Sequence, residues 1–309
     1  MAPTPPDGSS TSPTTPSPSS RPSPRGRSPS ASPGSGPPSR RSLIDLAERH
    51  GIRPRKSLGQ HFLADPNMAR AIARDAEAAP GTRFLEVGAG LGSLTAALAE
   101  AGAEVLALET DARLLPALEE VVGGFASVNV RHGDATRAEW ESVLGSGSWR
   151  MASNLPYNVA VPVLLDLLER TSVDPFVVMV QREVGERLAA TAGAPGYGAV
   201  SVKVAYRADV RILRRVGPSV FWPEPGVASV VLRLDRRPPP VDTPPEVLFP
   251  LVEEGFRQRR KTMAGALVRL GLGRQEARSA LGRAGLDPLV RAEALGLEEF
   301  ARLAETVGG

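Results

Sequence analysis

The 309-residue chain has no cysteine, which excludes a disulfide scaffold, a thiolate zinc site and a cysteine nucleophile. No apolar run approaches the ~20 residues needed to span a bilayer. The N-terminus lacks the apolar core of a secretory signal. Lysine is confined to Lys56, Lys203 and Lys261. No group of His, Asp and Glu has ligand spacing, so no metal is expected. Excess charge is also scarce. The chain carries a net +3, and Met1–Arg40 alone holds four arginines against one acid, Asp7. The remaining residues are formally neutral, with 33 charges of each sign. Any nucleic-acid surface must therefore come from local clustering.

Those first forty residues also hold 12 Pro and 12 Ser. Such a segment is too poor in large apolar side chains to offset its ordering entropy. Residues 1–42 are expected to be a disordered tail; its proline density argues against an amphipathic transit helix. A short helix is expected from Leu43. Asp65 then N-caps a helix with Pro66 at its first position. From Arg83 to Val180, apolar strands alternate with helices, with strands over Arg83–Val87, Glu104–Leu108, Ser127–Arg131, Trp149–Ser153 and Phe176–Val180. The pattern implies an α/β fold, a mostly parallel sheet with helices on both faces. Two further strands, Val210–Val216 and Ser229–Leu234, close its edge. The expected division is a catalytic domain over 43–235, a proline-rich linker over 236–246 and a small helical domain over 247–309.

The strand ends carry the chemistry. Glu86-Val-Gly-Ala-Gly-Leu-Gly92 follows a strand and opens a helix, where glycines let a ligand approach the backbone. The dinucleotide fingerprint would be G-x-G-x-x-G. Here the third glycine falls one place early, which favours S-adenosylmethionine (AdoMet) over a pyrophosphate. The alternative is a tight packing turn. Glu109 ends the second strand, where an acid can accept both hydroxyls of an adenosine ribose; an ordinary helix-entry acid is the other reading. Asp134 follows the third strand, placed to accept from an adenine amine or to sit in a surface turn. Asn154-Leu-Pro-Tyr157 ends the fourth. An aromatic amine is a poor nucleophile because its lone pair is delocalised. Two acceptors aimed at its N–H bonds, Asn154 Oδ1 and the Leu155 carbonyl, favour a more pyramidal nitrogen. Tyr157 can stack on a base taken out of its helix. The alternative is a strand-terminating turn with a packed tyrosine.

With these motifs the sequence resembles the KsgA/RsmA family of small-subunit ribosomal RNA adenine N6,N6-dimethyltransferases. The resemblance runs from about Leu43 to Val307. It includes Lys56-Ser-Leu-Gly-Gln-His-Phe-Leu63, Phe221-Trp-Pro-Glu-Pro225, Phe256-Arg-Gln-Arg-Arg-Lys-Thr262 and Arg291-Ala-Glu-Ala-Leu295. It implies a class I, Rossmann-like methyltransferase fold with a C-terminal helical RNA-recognition domain. It implies AdoMet contacts at His61, Leu63, Gly88, Glu109, Asp134 and Asn154. The target adenine would lie between Tyr157 and Phe221. The implied substrate is a pair of adjacent adenosines in a hairpin loop near the 3′ end of 16S rRNA, dimethylated in the cytoplasm by a monomer during small-subunit biogenesis. His61 stands where the family usually has Asn, which would make cofactor binding respond to pH across the histidine range. Gly226 and Ala228 replace the usual Lys and Asp.

Arg257, Arg259, Arg260 and Lys261 form one basic cluster, and Arg53, Arg55 and Lys56 another. A solvated helix face would look the same; the resemblance favours phosphate contacts. Two rival readings stay open. One is the related 23S rRNA adenine N6-methyltransferase of the macrolide-resistance type, which shares the N-terminal half. The other is a non-catalytic RNA-binding assembly factor.

Overall fold

The protein's structure, a computed structural model, describes residues 1–4, 36–55, 59–156, 158–258 and 260–308. The chain divides into two compact units, Met1–Ser30 and Ala31–Gly309. Residues 1–4 carry no regular structure, and residues 5–35, where most of the expected tail falls, lie outside the described residues.

The second unit opens with α1 (Arg40–Arg49), β1 (Phe62–Leu63) and α2 (Pro66–Asp75). The alternating part follows as β2 (Arg83–Val87), α3 (Ser93–Glu100), β3 (Glu104–Glu109), α4 (Leu115–Val122), β4 (Val128–His132), α5 (Trp140–Leu144), β5 (Arg150–Asn154), α6 (Ala160–Arg170) and β6 (Phe176–Gln181). Then come α7 (Arg182–Leu188), α8 (Ala199–Ala205), β7 (Ala208–Val216), β8 (Phe221–Trp222) and β9 (Ser229–Arg236). The C-terminal part is α9 (Pro245–Arg257), α10 (Met263–Arg269), α11 (Arg274–Arg283) and α12 (Leu297–Gly308). None of the described helices is long and apolar enough to cross a membrane.

Seven strands form one sheet in the order β4-β3-β2-β5-β6-β9-β7. The first five are parallel, and β9 runs antiparallel to both neighbours. Both faces are covered, and the alternation of side chains shows it. From β6, Phe176, Val178 and Val180 enter one apolar cluster, while Val177 and Met179 enter the cluster on the opposite face. Strand order reverses between β2 and β5. Doubly wound sheets place their ligands in the crevice at such a point. The β2–β5 ladder pairs only Phe84 with Arg150 and Leu85 with Met151. Beyond it, the Val87 N–H donates to the buried Ser153 hydroxyl at 2.9 Å, so the strands part without leaving that donor unsatisfied.

The expected boundaries need three corrections. The ordered chain starts before residue 43. Gly36–Pro38 are buried, and Ser39 caps α1 by accepting from the Ser42 N–H at 3.2 Å. Arg236 is not linker but the last residue of β9. Its guanidinium donates to the carbonyls of Leu167, Leu168, Thr171 and Val173 at 2.6–2.9 Å, satisfying the end of α6. Nor does the helical part pack by itself. Tyr197, Val202 and Tyr206 share its core, and the Tyr197 hydroxyl donates to the Leu295 carbonyl at 2.7 Å. The change at 236–246 is one of architecture, not a break in packing.

These interactions set where the N-terminus can be cut. Arg40 donates to the Ser219 carbonyl at 2.7 Å and pairs with Glu224 at 3.1 Å. Deleting residues 1–35 is expected to leave the thermal midpoint unchanged. Deleting residues 1–40 also removes the buried Gly36–Pro38 and the α1 cap, and is expected to lower the midpoint by ~2–4 °C, the size of a ~1 kcal/mol loss in a domain of this length. Differential scanning calorimetry of the two truncations checks this; equal midpoints would refute it.

Candidate active site

The C-terminal ends of β2, β3, β4 and β5 open on one cavity, roofed by residues 59–63. Six residues expected to hold the cofactor, His61, Leu63, Gly88, Glu109, Asp134 and Asn154, all line it, as does Leu155. Gly88 has φ +75°, and a Cβ there would stand 3.0 Å from Pro156 Cδ. The glycine is therefore what lets the β2 loop lie against the Asn154-Leu-Pro loop. Gly90, at φ +59°, allows the same closeness to the Phe62 ring.

Glu109 is a fixed acceptor. The Gly90 N–H donates to Oε2 at 2.8 Å and the Asp111 N–H to Oε1 at 2.9 Å. Burial raises its pKa, and these hydrogen bonds oppose the rise. Each oxygen keeps a second lone pair for a ligand. Asp111 does not cap α4. Its carboxylate binds the Arg113 guanidinium and accepts from Gln60 Nε2 at 2.8 Å, and Arg113 beside it holds its pKa down at about 2. Gln60 thereby ties the roof to the loop after β3, a role the sequence does not disclose. At Asp134, Thr136 donates twice to Oδ1, from Oγ1 at 2.7 Å and from its N–H at 2.9 Å. These bonds keep the carboxyl below its ordinary pKa.

Asn154 is oriented by the roof: its Nδ2 donates to the His61 carbonyl at 3.2 Å. With the donor end engaged, Oδ1 is the acceptor left over. The Leu155 N–H is held by the Met179 carbonyl at 3.0 Å. His61 Nδ1 lies 2.8 Å from the Pro223 carbonyl. A carbonyl only accepts, so Nδ1 is the donor in this bond.

Phe221, expected beside the target adenine, is not on the wall of this cavity. Its side chain is fully buried in the cluster that includes Phe84, Ile72 and Val231, and it does not line the cavity. The reason is strand alternation. In the β1–β8 pair, Leu63 opposes Phe221 and Phe62 opposes Trp222, so neighbouring rings face opposite sides. The half-buried Trp222 stacks on Phe62 with centroids 6.1 Å apart. Tyr157, Lys56 and Arg259 lie outside the described residues. Of the other expected RNA-binding cations, Arg257 pairs with the buried Glu254 at 3.2 Å. Arg55, Arg260 and Lys261 are exposed.

A family model described as ribosomal RNA adenine dimethylase matches residues 51–307. The chain belongs to this family. The ribosomal RNA small subunit methyltransferase A of Pelotomaculum thermopropionicum is 43% identical over 277 residues, 85% of this chain and 94% of that protein. Its namesake from Thermobifida fusca is 45% identical over 267 residues, 84% and 92% of the two chains. Among solved structures, the 23S rRNA methyltransferase ErmE matches with a TM-score of 0.62 and 25% identity, over 80% of this chain and 100% of its own. A dimethyladenosine transferase from Plasmodium falciparum matches in fold with a TM-score of 0.65 and 22% identity, over 79% and 96%. The fold is that of the class I AdoMet-dependent methyltransferases, and the family is one of rRNA-modifying enzymes.

The cavity suits that cofactor class on its own chemistry. Its described lining carries the carboxyls of Glu86, Glu109 and Asp134 and neither lysine nor arginine. That surrounds a sulfonium and an ammonium well, and a pyrophosphate poorly. The Ser93 hydroxyl also lines the cavity, buried and without a hydrogen-bond partner among the described residues. A ligand is the natural partner for such a group. Glu86 is 1% exposed and accepts from the Thr95 hydroxyl at 2.6 Å; burial pushes its pKa up to about 8.

That shift has a signature in the ligand-free protein. An unfolded Glu ionises near ~4.3, and the folded one near 8. Between these values unfolding releases a proton, so this group's contribution to stability is full below ~4.3 and is lost as pH rises through 8. At ~1.4 kcal/mol per pKa unit, a few kcal/mol are involved. Glu86→Gln keeps the shape and cannot ionise. Its stability is expected to fall less than wild type's from pH 5 to 8, read as the thermal midpoint against pH. Parallel curves would show that Glu86 is ionised throughout.

Proposed function

We propose that the protein dimethylates N6 of two adjacent adenosines in a hairpin loop near the 3′ end of 16S rRNA, using AdoMet, during small-subunit biogenesis in the cytoplasm. The observation that carries the chemistry is the polarity of Asn154, whose amide nitrogen is engaged by the His61 carbonyl at 3.2 Å. Oδ1 and the Leu155 carbonyl are then the acceptors for a target amine. When bound, the cofactor supplies a methyl group activated by its sulfonium. Glu109 would hold the ribose hydroxyls, Asp134 the adenine amine and Ser93 a polar group of the methionyl half.

The adenosine is taken out of its stack and its amine set against Asn154 Oδ1 and the Leu155 carbonyl. These acceptors localise the nitrogen lone pair and draw positive charge toward the N–H bonds. Asn154 does not ionise near neutral pH, so it takes no proton; the surplus proton leaves to solvent. After one transfer the amine keeps a single N–H, so one acceptor suffices for the second.

The choice of small-subunit RNA rests on identities of 43–45% across most of both chains, against 25% to the 23S enzyme. The shared fold does not separate them. Purified protein is expected to methylate immature small subunits and to leave 23S rRNA unmodified, read by mass spectrometry of rRNA nucleosides. The reverse result would establish the large-subunit reading. No transfer to either, with RNA still bound, would leave an assembly factor.

Two variants test the division of labour. Asn154→Ala is expected to lower single-turnover methyl transfer by ~10²–10³-fold at saturating cofactor, the scale for removing one preorganised polar group. A wild-type rate would refute the acceptor mechanism. The Arg260→Ala, Lys261→Ala double variant is expected to weaken RNA binding and flatten its logarithmic salt dependence by up to ~0.9 for each phosphate no longer neutralised, with AdoMet affinity unchanged. An unaltered salt slope would exclude these cations from the interface.

A further inference from the structure

The β1–β8 pair stands apart from the seven-stranded sheet and joins Phe62 to Trp222, 160 positions on, and Leu63 to Phe221, 158 positions on. One backbone bond sets its phase: the Ala64 N–H donates to the Val220 carbonyl at 2.7 Å. In an antiparallel ladder, bonded and non-bonded pairs alternate. Opposition of 64 to 220 makes 62/222 a bonded pair, and the ladder ends there. The Phe62 N–H then points at the partner strand, and the His61 carbonyl, on the opposite side of the same trans peptide, points away from it. The His61 carbonyl is thus turned outward, where Asn154 Nδ2 donates to it at 3.2 Å.

Beyond the ladder, which ends at 62/222, the His61 side chain links the two segments. Its Nδ1 donates to the Pro223 carbonyl at 2.8 Å. The same residue therefore grips the Phe221–Pro225 segment with its ring and the Asn154 carboxamide with its carbonyl. We infer that His61 is a positioning residue for methyl transfer, which locks the roof of the cavity to the Phe221–Pro225 segment and thereby fixes Asn154 with Oδ1 toward the target amine. This rests on the proposed adenine chemistry. It assigns the imidazole a task distinct from touching the cofactor.

The placement of Nδ1 makes the idea specific. Nδ1 of histidine and Nδ2 of asparagine stand the same number of bonds from Cα. Asparagine can therefore donate to the Pro223 carbonyl from the same place; alanine cannot, and glutamine carries its amide one bond too far. With immature small subunits as substrate and saturating AdoMet, His61→Ala is expected to lower the single-turnover rate ~10–100-fold, and His61→Asn to stay within ~3-fold of wild type. A pure cofactor contact would instead raise the AdoMet Kd and leave the saturated rate intact. The His61→Ala, Asn154→Ala double variant is expected to be no slower than Asn154→Ala alone, because His61 acts through Asn154.

Multiplicative losses in the double variant, or a wild-type saturated rate in His61→Ala, would overturn the inference. So would failure of His61→Asn to restore the rate. If His61→Ala does not give folded protein, as judged by its thermal midpoint, His61→Gln takes its place under the same criteria. Failure of the functional reading is separately visible, since the wild-type protein would then transfer no methyl group to the subunit.

Discussion

The parting of β2 and β5 is the constraint on which the rest of the site depends. Two paired residues hold the strands together at Phe84 and Leu85, and one side chain, Ser153, takes the Val87 N–H where the ladder ends. The crevice so formed has the glycine loop on one wall and Asn154 on the other. Gly88 brings those walls to van der Waals distance, since even a Cβ would crowd Pro156 at 3.0 Å. On the proposed chemistry, a cofactor held by the first wall would face a base held by the second. Proximity of this kind is fixed by the fold before any ligand arrives.

Electrostatics then divides the surface by task. The described lining of the cavity holds three carboxyl groups and neither lysine nor arginine, in a body with equal numbers of each charge. Most arginines are committed elsewhere. Arg113 holds Asp111, Arg236 holds the end of α6, and Arg257 and Arg269 share Glu254. Exposed Arg55, Arg260 and Lys261 fall outside that pattern. With RNA on those cations and the cofactor in the cavity, as proposed, the two would meet surfaces of opposite sign, which would disfavour phosphate entering the cavity.

How much of this the sequence discloses follows from the range of each interaction. The parallel strands are readable because burial on both faces leaves continuous apolar runs such as Phe176-Val-Val-Met-Val180. Glu109, Asp134 and Asn154 are readable because they end such strands. The β1–β8 pair is not, since two residues carry no period and the partner lies far along the chain. With the pair unseen, the direction of Phe221 cannot be derived, and the family pattern alone places its ring at the base. The helix α8 escapes the sequence for a local reason. Its Ala-Val-Ser-Val-Lys-Val-Ala stretch favours a strand by propensity, and burial of Val202 and Val204 overrides it. Arg236 reads as linker because the prolines that follow dominate the local signal, while its five side-chain and main-chain bonds reach back more than 60 residues.

The match to ErmE sharpens what the fold can and cannot decide. That enzyme is a 23S rRNA methyltransferase and shares the architecture over 80% of this chain. Cofactor cavity and acceptor pair are both products of strand ends, so both belong to the architecture and are compatible with either RNA. Discrimination has to come from residues free to vary around it. The helical part is built for that: it shares a core with Tyr197, Val202 and Tyr206, so its orientation is fixed relative to the residues just after β6. An RNA gripped at Arg260 and Lys261 would be presented to Asn154 at a set distance and angle. Substrate choice would then be a matter of which RNA spans the two points with an adenosine free to leave its stack.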